Sequence, residues 1–161
     1  MKATRLTTLC FLARKDEVLL AMKKRGFGAG KFNGVGGKVE TNESVAEAML
    51  REAEEEIGVK IDAPEAKLRA HLTFYFDGKA EWNQQCHVFI AEKWHGEPIE
   101  TEEMKPEWFS VKKLPFESMW IDDHVWLPKV LAGESLEAEF YFNADGTVLQ
   151  SHSLKTTQRL M

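Results

Sequence analysis

The chain has 161 residues, of which 43% are hydrophobic and 29% charged, a composition typical of one globular domain with a sizeable core. Its net charge of −5, from 26 acidic and 21 basic residues, argues against a polymeric nucleic-acid partner, because such binders carry a basic excess. The apolar start of the chain meets charged residues too soon for a signal peptide and is too short to span a bilayer. We therefore expect one domain over residues 1–161, cytoplasmic and monomeric, without membrane contact.

Periodicity predicts alternating strands and helices along the chain. The expected bounds are 4–13 and 17–24 for two strands, 25–38 for a glycine-dense loop, 42–57 for a helix, 68–76, 85–93 and 107–111 for strands, 123–132 for a short helix, and 137–142 and 148–154 for a hairpin. In the first helix, Ser44 and Glu47 have capping-box spacing, and Gly58 suits its end. This order predicts an α/β fold with a mixed β-sheet covered by helices. Cys10 and Cys86 lack metal-ligand spacing and are expected to be buried free thiols, which fits a reducing cytosol.

The first helix carries a concentrated acidic face. Glu52, Glu55 and Glu56 are at positions i, i+3 and i+4, so their carboxylates share one side of the helix and repel each other. A divalent cation such as Mg²⁺, which takes oxygen ligands, would relieve that repulsion and could mediate between an acidic protein and a small phosphorylated substrate. The preceding GVGG at 34–37 allows a close approach of the backbone to this helix. Taken alone, an acidic run of this kind is more often a solvated helix face.

The spacing of this segment, 36–59, makes that simpler interpretation untenable. Seven residues match the Nudix box, which spans residues 37–58: Gly37, Glu43, Arg51, Glu52, Glu55, Glu56 and Gly58. At roughly 7% usage per residue type, such a match arises by chance on the order of once in 10⁸ starting positions. Ala53 departs mildly, because a larger apolar residue is usual there. The chain therefore resembles the Nudix hydrolases.

The resemblance implies an α/β/α sandwich that hydrolyses a nucleoside diphosphate linked to another group, with Mg²⁺, or Mn²⁺, bound at the box helix. By that resemblance Glu52 and Glu56 are the main metal ligands, and the carbonyl of Gly36 is a third. Glu55 is a further ligand or the catalytic base. Glu43 and Arg51 are expected to hold the loop to the helix. The metal would neutralise phosphate charge and lower the pKa of a bound water.

Outside the box, the segments KKRGFGAGKFNGVGGKV, EEMKPEWF and PFESMWIDDHVW are similar to the mammalian MutT-homologue subfamily, over about residues 4–128. That subfamily hydrolyses oxidised purine nucleoside triphosphates, such as 8-oxo-dGTP and 2-hydroxy-dATP, to the monophosphate and pyrophosphate. The positions that match its base-recognition residues are Asn33, Trp120, Asp122 and Asp123, and those that match its pocket lining are Thr8, Lys23, Phe27, Phe74, Met104 and Trp126. Glu103 matches an acidic residue near the metal. Two departures are Ile121, in place of proline, and a longer 77–85 segment.

The adjacent Asp122 and Asp123 can read a purine edge. Two ionised carboxylates only accept hydrogen bonds, but in an apolar pocket one pKa should rise, so that the pair offers one donor and one acceptor. Movement of the proton between them would suit guanine-type or oxidised adenine edges, and Trp120 offers a stacking surface. The plainer interpretation is a helix N-cap aspartate between two core tryptophans.

Two rival functions stay open. One is a Nudix hydrolase of another nucleoside diphosphate derivative or of a capped RNA end, against which the aspartate pair and the acidic balance argue. The other is a non-catalytic Nudix domain that binds a nucleotide or a partner, which the intact set of box glutamates disfavours. The five histidines are scattered, and each is more typical of a surface or strand position than of a ligand.

Overall fold

The computed structural model describes residues 5–158 and residue 160. The strands are Arg5–Arg14 (β1), Glu17–Lys23 (β2), Phe32–Asn33 (β3), Ala66–Phe76 (β4), Gln84–Ala91 (β5), Met104–Ser110 (β6), Leu136–Phe142 (β7) and Leu149–Thr156 (β8). The two α-helices are Val45–Ile57 (α1) and Asp123–Leu131 (α2), and short 3-10 helices occupy 63–65, 80–82 and 116–118. Every predicted strand and helix is present, and β3 lies inside the predicted glycine-dense loop.

Two boundaries differ from the prediction by three residues, and most of the others differ by one or two. Helix α1 begins at Val45 and not at Asn42, because Asn42 has a left-handed φ of 69° that a helix cannot continue. Strand β6 begins at Met104 and not at residue 107. Its Pro106 weakens the sequence signal for a strand, yet it is tolerated because β6 pairs with β2 and lies off the main strand order.

The strands form one mixed sheet in the order β3-β2-β1-β5-β4-β7-β8, with β6 paired to β2. The β1/β5 and β4/β7 pairs are parallel, and the other pairs are antiparallel. The ends of β4 and β7 therefore meet the beginnings of β1 and β5 at one end of the sheet. This confirms the α/β class and the mixed sheet.

The two helices cover opposite faces of the sheet, and each face has its own core. Adjacent residues of β1 point into different cores, as the two-residue period of a strand requires. Cys10 packs with Met49 and Ala53 of α1, whereas Phe11 packs with Trp126 of α2. The α/β/α arrangement follows from this division. Within the described part of the chain, no helix is long and apolar enough to cross a membrane.

The predicted capping of α1 is confirmed. The Glu47 amide donates to Ser44 Oγ at 3.0 Å, and the Ser44 amide donates to Glu47 Oε1 at 2.8 Å. At the other end Gly58, with φ 74°, donates to the Glu54 carbonyl at 3.0 Å. Ala48, Met49, Ala53 and Ile57 are buried, so the acidic side of the helix is turned away from the core.

Both cysteines are buried and free, as expected. Burial raises the pKa of each thiol to about 12, so both are protonated at neutral pH.

Candidate active site

A cavity of about 470 Å³ lies at the end of the sheet where β4 and β7 finish and β1 and β5 begin. All ten residues predicted to recognise or line the base contribute to its wall: Thr8, Lys23, Phe27, Asn33, Phe74, Met104, Trp120, Asp122, Asp123 and Trp126. The glycines of the 34–37 segment also line it, which connects the cavity to the acidic helix. One concave site therefore contains the predicted base-reading residues and reaches the box.

The glycines at 36 and 37 are required by close packing. A Cβ added to Gly36 would lie 1.8 Å from the Thr8 carbonyl oxygen, and one added to Gly37 would lie 1.8 Å from Glu52 Oε2. The amide of Gly36 donates to Glu56 Oε1 at 2.9 Å. The backbone of Gly36 and Gly37, which lines the cavity, therefore packs directly against the carboxylates of Glu56 and Glu52.

The electrostatics of this junction suit a divalent cation. Burial raises the pKa of Glu56 to about 8; the Gly36 hydrogen bond and Lys23 lower it, and Glu52 and Glu103 raise it. Burial also raises the pKa of Glu52. Both raised pKa values mean that the negative charge of these carboxylates is disfavoured in the absence of a cation. A hard divalent cation, which binds carboxylate oxygens, would stabilise the charged form.

Arg51 ties the loop before α1 to the helix. Its guanidinium donates to both Glu43 oxygens, at 2.6 and 3.0 Å, and to the Lys38 carbonyl at 3.2 Å. The hydrogen bonds from Arg51 and from the Glu40 backbone hold the pKa of Glu43 at about 2. This geometry fits the holding role expected for Glu43 and Arg51.

Glu55 is turned away from the other two box glutamates. It accepts from Arg51 at 3.2 Å, and its side chain is 59% exposed. Among the described residues, no three His, Cys, Asp or Glu side chains are close enough to hold a metal ion. The structure thus brings Glu52, Glu56 and Gly36 together but leaves Glu55 outside that group.

Glu103 approaches the same region from the loop before β6. It accepts from Arg25 at 2.8 Å, and that hydrogen bond lowers its pKa. Its side chain is half-exposed, and its charge is close enough to raise the pKa of Glu56. An acidic group therefore lies near the box, held by a surface ion pair.

Asp122 and Asp123 are both buried, each 3% exposed. Asp122 Oδ2 accepts from the indole N–H of Trp126 at 2.8 Å, whereas Asp123 Oδ2 has no hydrogen-bond partner among the described residues. Burial raises the pKa of both. For Asp123 the neighbouring negative charge and hydrogen bond of Asp122 raise the pKa further, whereas the hydrogen bond from Trp126 favours the ionised form of Asp122.

The capping interpretation of this stretch is wrong, because Asp122 at the N-cap of α2 makes no side-chain capping bond. The core interpretation holds for only one tryptophan. Trp126 is fully buried, but Trp120 is half-buried at the cavity wall, 5.1 Å from the ring of Phe27. Phe27 is 57% exposed, so it marks the mouth of the cavity.

Replacing Asp123 with asparagine should stabilise the ligand-free protein as pH rises. An aspartate whose folded pKa is raised binds its proton more tightly in the folded state; its contribution is complete below about pH 4 and declines as pH rises toward that raised pKa. Asparagine keeps a donor for Asp122 without this loss. The melting-temperature difference between variant and wild type should grow from near zero at pH 4 to several degrees at pH 8, since ~1 kcal/mol corresponds to about 2–4 °C. A pH-independent difference would contradict the assignment.

Several cavity residues were missed by the sequence prediction. They come from the starts of β1 and β5, the ends of β4 and β7, and the glycine-rich loop: Arg5, Thr7, Lys31, Lys38, Phe76, Gln84, Cys86 and Phe142. Trp82 does not line the cavity but packs beside it, with its ring centroid 5.5 Å from that of Phe27 and 5.8 Å from that of Phe76. Alternation along β1 predicts that Thr7 and Leu9 lie on the same face of the strand. Only the strand order of the sheet shows that this face lines the cavity.

Family comparison agrees with the geometry. Residues 3–130 match the NUDIX domain model, and the chain therefore belongs to the Nudix hydrolase family. Members of this family generally need divalent metal ions. The Glu52 and Glu56 carboxylates beside the backbone of the 36–37 glycines are compatible with that need.

Two relatives are similar over nearly the whole chain. An oxidized purine nucleoside triphosphate hydrolase of Danio rerio is 40% identical over 160 residues, spanning 99% of this chain and 100% of that protein. One of Mus musculus is 41% identical over 155 residues, spanning 96% and 97%. Among solved structures, the mutator MutT protein from Bacillus halodurans superposes with a TM-score of 0.78 at 26% identity, covering 94% of this chain and 97% of that one.

Proposed function

We propose that this protein hydrolyses oxidised purine nucleoside triphosphates, such as 8-oxo-dGTP and 2-hydroxy-dATP, to the monophosphate and pyrophosphate, and so removes them from the nucleotide pool. The observation that carries the proposal is a buried aspartate pair in a cavity whose wall at Gly36 and Gly37 contacts Glu56 and Glu52 of α1. The names of the zebrafish and mouse relatives, which match over nearly their full lengths, support it.

The base is read by Asp122 and Asp123. Asp123 keeps the proton and donates, while Asp122 accepts, so the pair matches the acceptor and donor that an oxidised purine edge presents. Trp120 and Phe27 offer aromatic faces at the mouth of the cavity, and Asn33 and Phe74 complete its wall. Because both aspartates are buried, a base that leaves either of them without a hydrogen-bond partner binds at a cost.

The phosphates face the other end of the site. Glu52, Glu56 and the Gly36 carbonyl would hold Mg²⁺, or Mn²⁺, with Glu55 and Glu103 as nearby acids. When bound, the ion supplies neutralisation of phosphate charge and a lowered pKa for a coordinated water. Lys23 lines the cavity close enough to lower the pKa of Glu56, so its ammonium is available to the phosphate chain. For Glu55 to act as ligand or base, its side chain must leave Arg51.

A substrate panel tests the proposal. With Mg²⁺ present, kcat/KM should be highest for 8-oxo-dGTP or 2-hydroxy-dATP, and well above that for dGTP and dATP. A ratio near one for 8-oxo-dGTP over dGTP would contradict the proposal. Absence of turnover for every nucleotide by the native protein would favour a non-catalytic binding module.

A further inference from the structure

At the start of β5, just after the loop from β4, a polar side chain lines the cavity at a position that the family resemblance did not cover. Gln84, the first residue of β5, lines the cavity together with Thr7 of β1. The Thr7 hydroxyl donates to Gln84 Oε1 at 3.0 Å in a part-buried position. This hydrogen bond joins the two strands at the wall of the pocket.

The orientation of the Gln84 carboxamide follows from its two neighbours. Its nitrogen lies 3.4 Å from the Trp82 carbonyl, an acceptor, while its oxygen faces the Thr7 hydroxyl. The reverse orientation would set two carbonyl oxygens against each other. An amide nitrogen carries two N–H groups, and the Trp82 carbonyl takes one of them at a long distance. The other can donate to a ligand.

Thr7 and Gln84 are at the same end of the cavity as the aspartates. The thiol of Cys86 shows this, because its pKa, raised first by burial, is lowered by a hydrogen bond with Thr7 and raised by the charges of Asp122 and Asp123. All five residues line the cavity. A base that engages the aspartates therefore has Thr7 and Gln84 close to its remaining edge.

We propose that the amide N–H of Gln84 donates a hydrogen bond to the carbonyl oxygen that oxidation adds to a purine, which makes Gln84 a specificity-determining residue. This rests on the proposed function. Oxidation replaces a ring C–H with a carbonyl acceptor, so an unoxidised purine leaves the Gln84 donor facing a C–H group in a part-buried site. The aspartate pair reads the edge that oxidised and normal bases share, and Gln84 reads the difference.

The test compares Gln84→Met, which keeps length but removes the donor, with Gln84→Glu, which keeps shape but offers no amide N–H at neutral pH. Neighbouring Gln85→Met is the matched control, because alternation along β5 turns that side chain to the opposite face. The kcat/KM values for 8-oxo-dGTP and dGTP are measured with Mg²⁺ for each variant, and thermal unfolding confirms folding.

The ratio of 8-oxo-dGTP to dGTP turnover should fall roughly 3- to 10-fold in both Gln84 variants, through the loss of 8-oxo-dGTP turnover, and stay unchanged in Gln85→Met. Thr7→Val, which frees the carboxamide to rotate, should lower the ratio less. An unchanged ratio in both Gln84 variants, beside a wild type that prefers 8-oxo-dGTP, overturns the inference and leaves the proposed function standing. A wild type without that preference overturns both.

Discussion

Replacing Glu56 with glutamine is expected to lower kcat by on the order of 10³-fold while the protein remains folded, because about 4 kcal/mol of charge stabilisation at the phosphates is lost. Glu56 is the box glutamate most directly joined to the cavity, through the Gly36 amide that donates to it at 2.9 Å. Glutamine keeps an oxygen for that hydrogen bond, so the loop should stay in place. Steady-state kinetics over a Mg²⁺ titration measure the effect.

Glu54→Gln provides the control for this experiment. Glu54 is an exposed residue of the same helix, so its replacement changes the net charge equally without touching the cavity. Its kcat should match the wild type within about twofold, because this exposed side chain is not part of the cavity lining, and surface substitutions of this kind change folding stability little. Equal activities of Glu56→Gln and wild type would show that Glu56 is not part of the active site.

Replacing Asp122 with asparagine should lower kcat/KM for oxidised purines by on the order of 10²-fold, since a hydrogen bond to a charged group contributes up to about 3 kcal/mol. Replacing Asp123 keeps a donor but fixes it in place, so the loss should be largest for 2-hydroxy-dATP, the base that needs the proton on Asp122. Asp122→Asn removes the charged acceptor beside Trp126, and Asp123→Asn removes the proton that the pair can relocate. The Mg²⁺ concentration for half-maximal activity should stay the same, because neither residue belongs to the glutamate face.

Asp16→Asn, in the exposed turn between β1 and β2, supplies the matching control and should behave as wild type. Unchanged kinetics in both Asp122→Asn and Asp123→Asn would end the base-reading assignment. Together with the expected rise in melting temperature, Asp123→Asn should give a protein that is more stable and less active. That combination separates a functional cost from a folding defect.

The parts of the fold predicted well are those encoded locally. The capping box at Ser44, the glycine at 58 and the two-residue periodicity of the strands each act over a few residues, so they can be read along the chain. Strand β3 was not predicted, because its two residues, Phe32 and Asn33, are too few to show a periodic pattern. The start of β6 was not predicted, because a proline such as Pro106 is tolerated in a strand only at certain positions of a sheet, and the pairing of β6 with β2 is not visible in the sequence.

In the candidate site, too, the residues that are close together in the sequence were easier to predict than those that come from distant strands. The glutamates share one helix, and their spacing suffices to find them. The hydrogen bonds of Arg51 to Glu43 and Glu55, and that of the Gly36 amide to Glu56, depend on the folded loop before α1, so the sequence alone does not predict them. The base pocket is formed by strands far apart in sequence, so its residues were predicted by resemblance. Gln84 was missed because the 77–85 segment departs from that resemblance.

The division of the protein into two cores on opposite faces of one sheet has an evolutionary consequence. Helix α1, which carries the glutamates, and helix α2, which begins at Asp123, pack into different cores on the two faces of the sheet. Substitutions that repack the α2 side can accumulate in a lineage without disturbing the α1 side. A new preference among damaged bases is therefore accessible by small steps, with the hydrolytic chemistry inherited intact throughout.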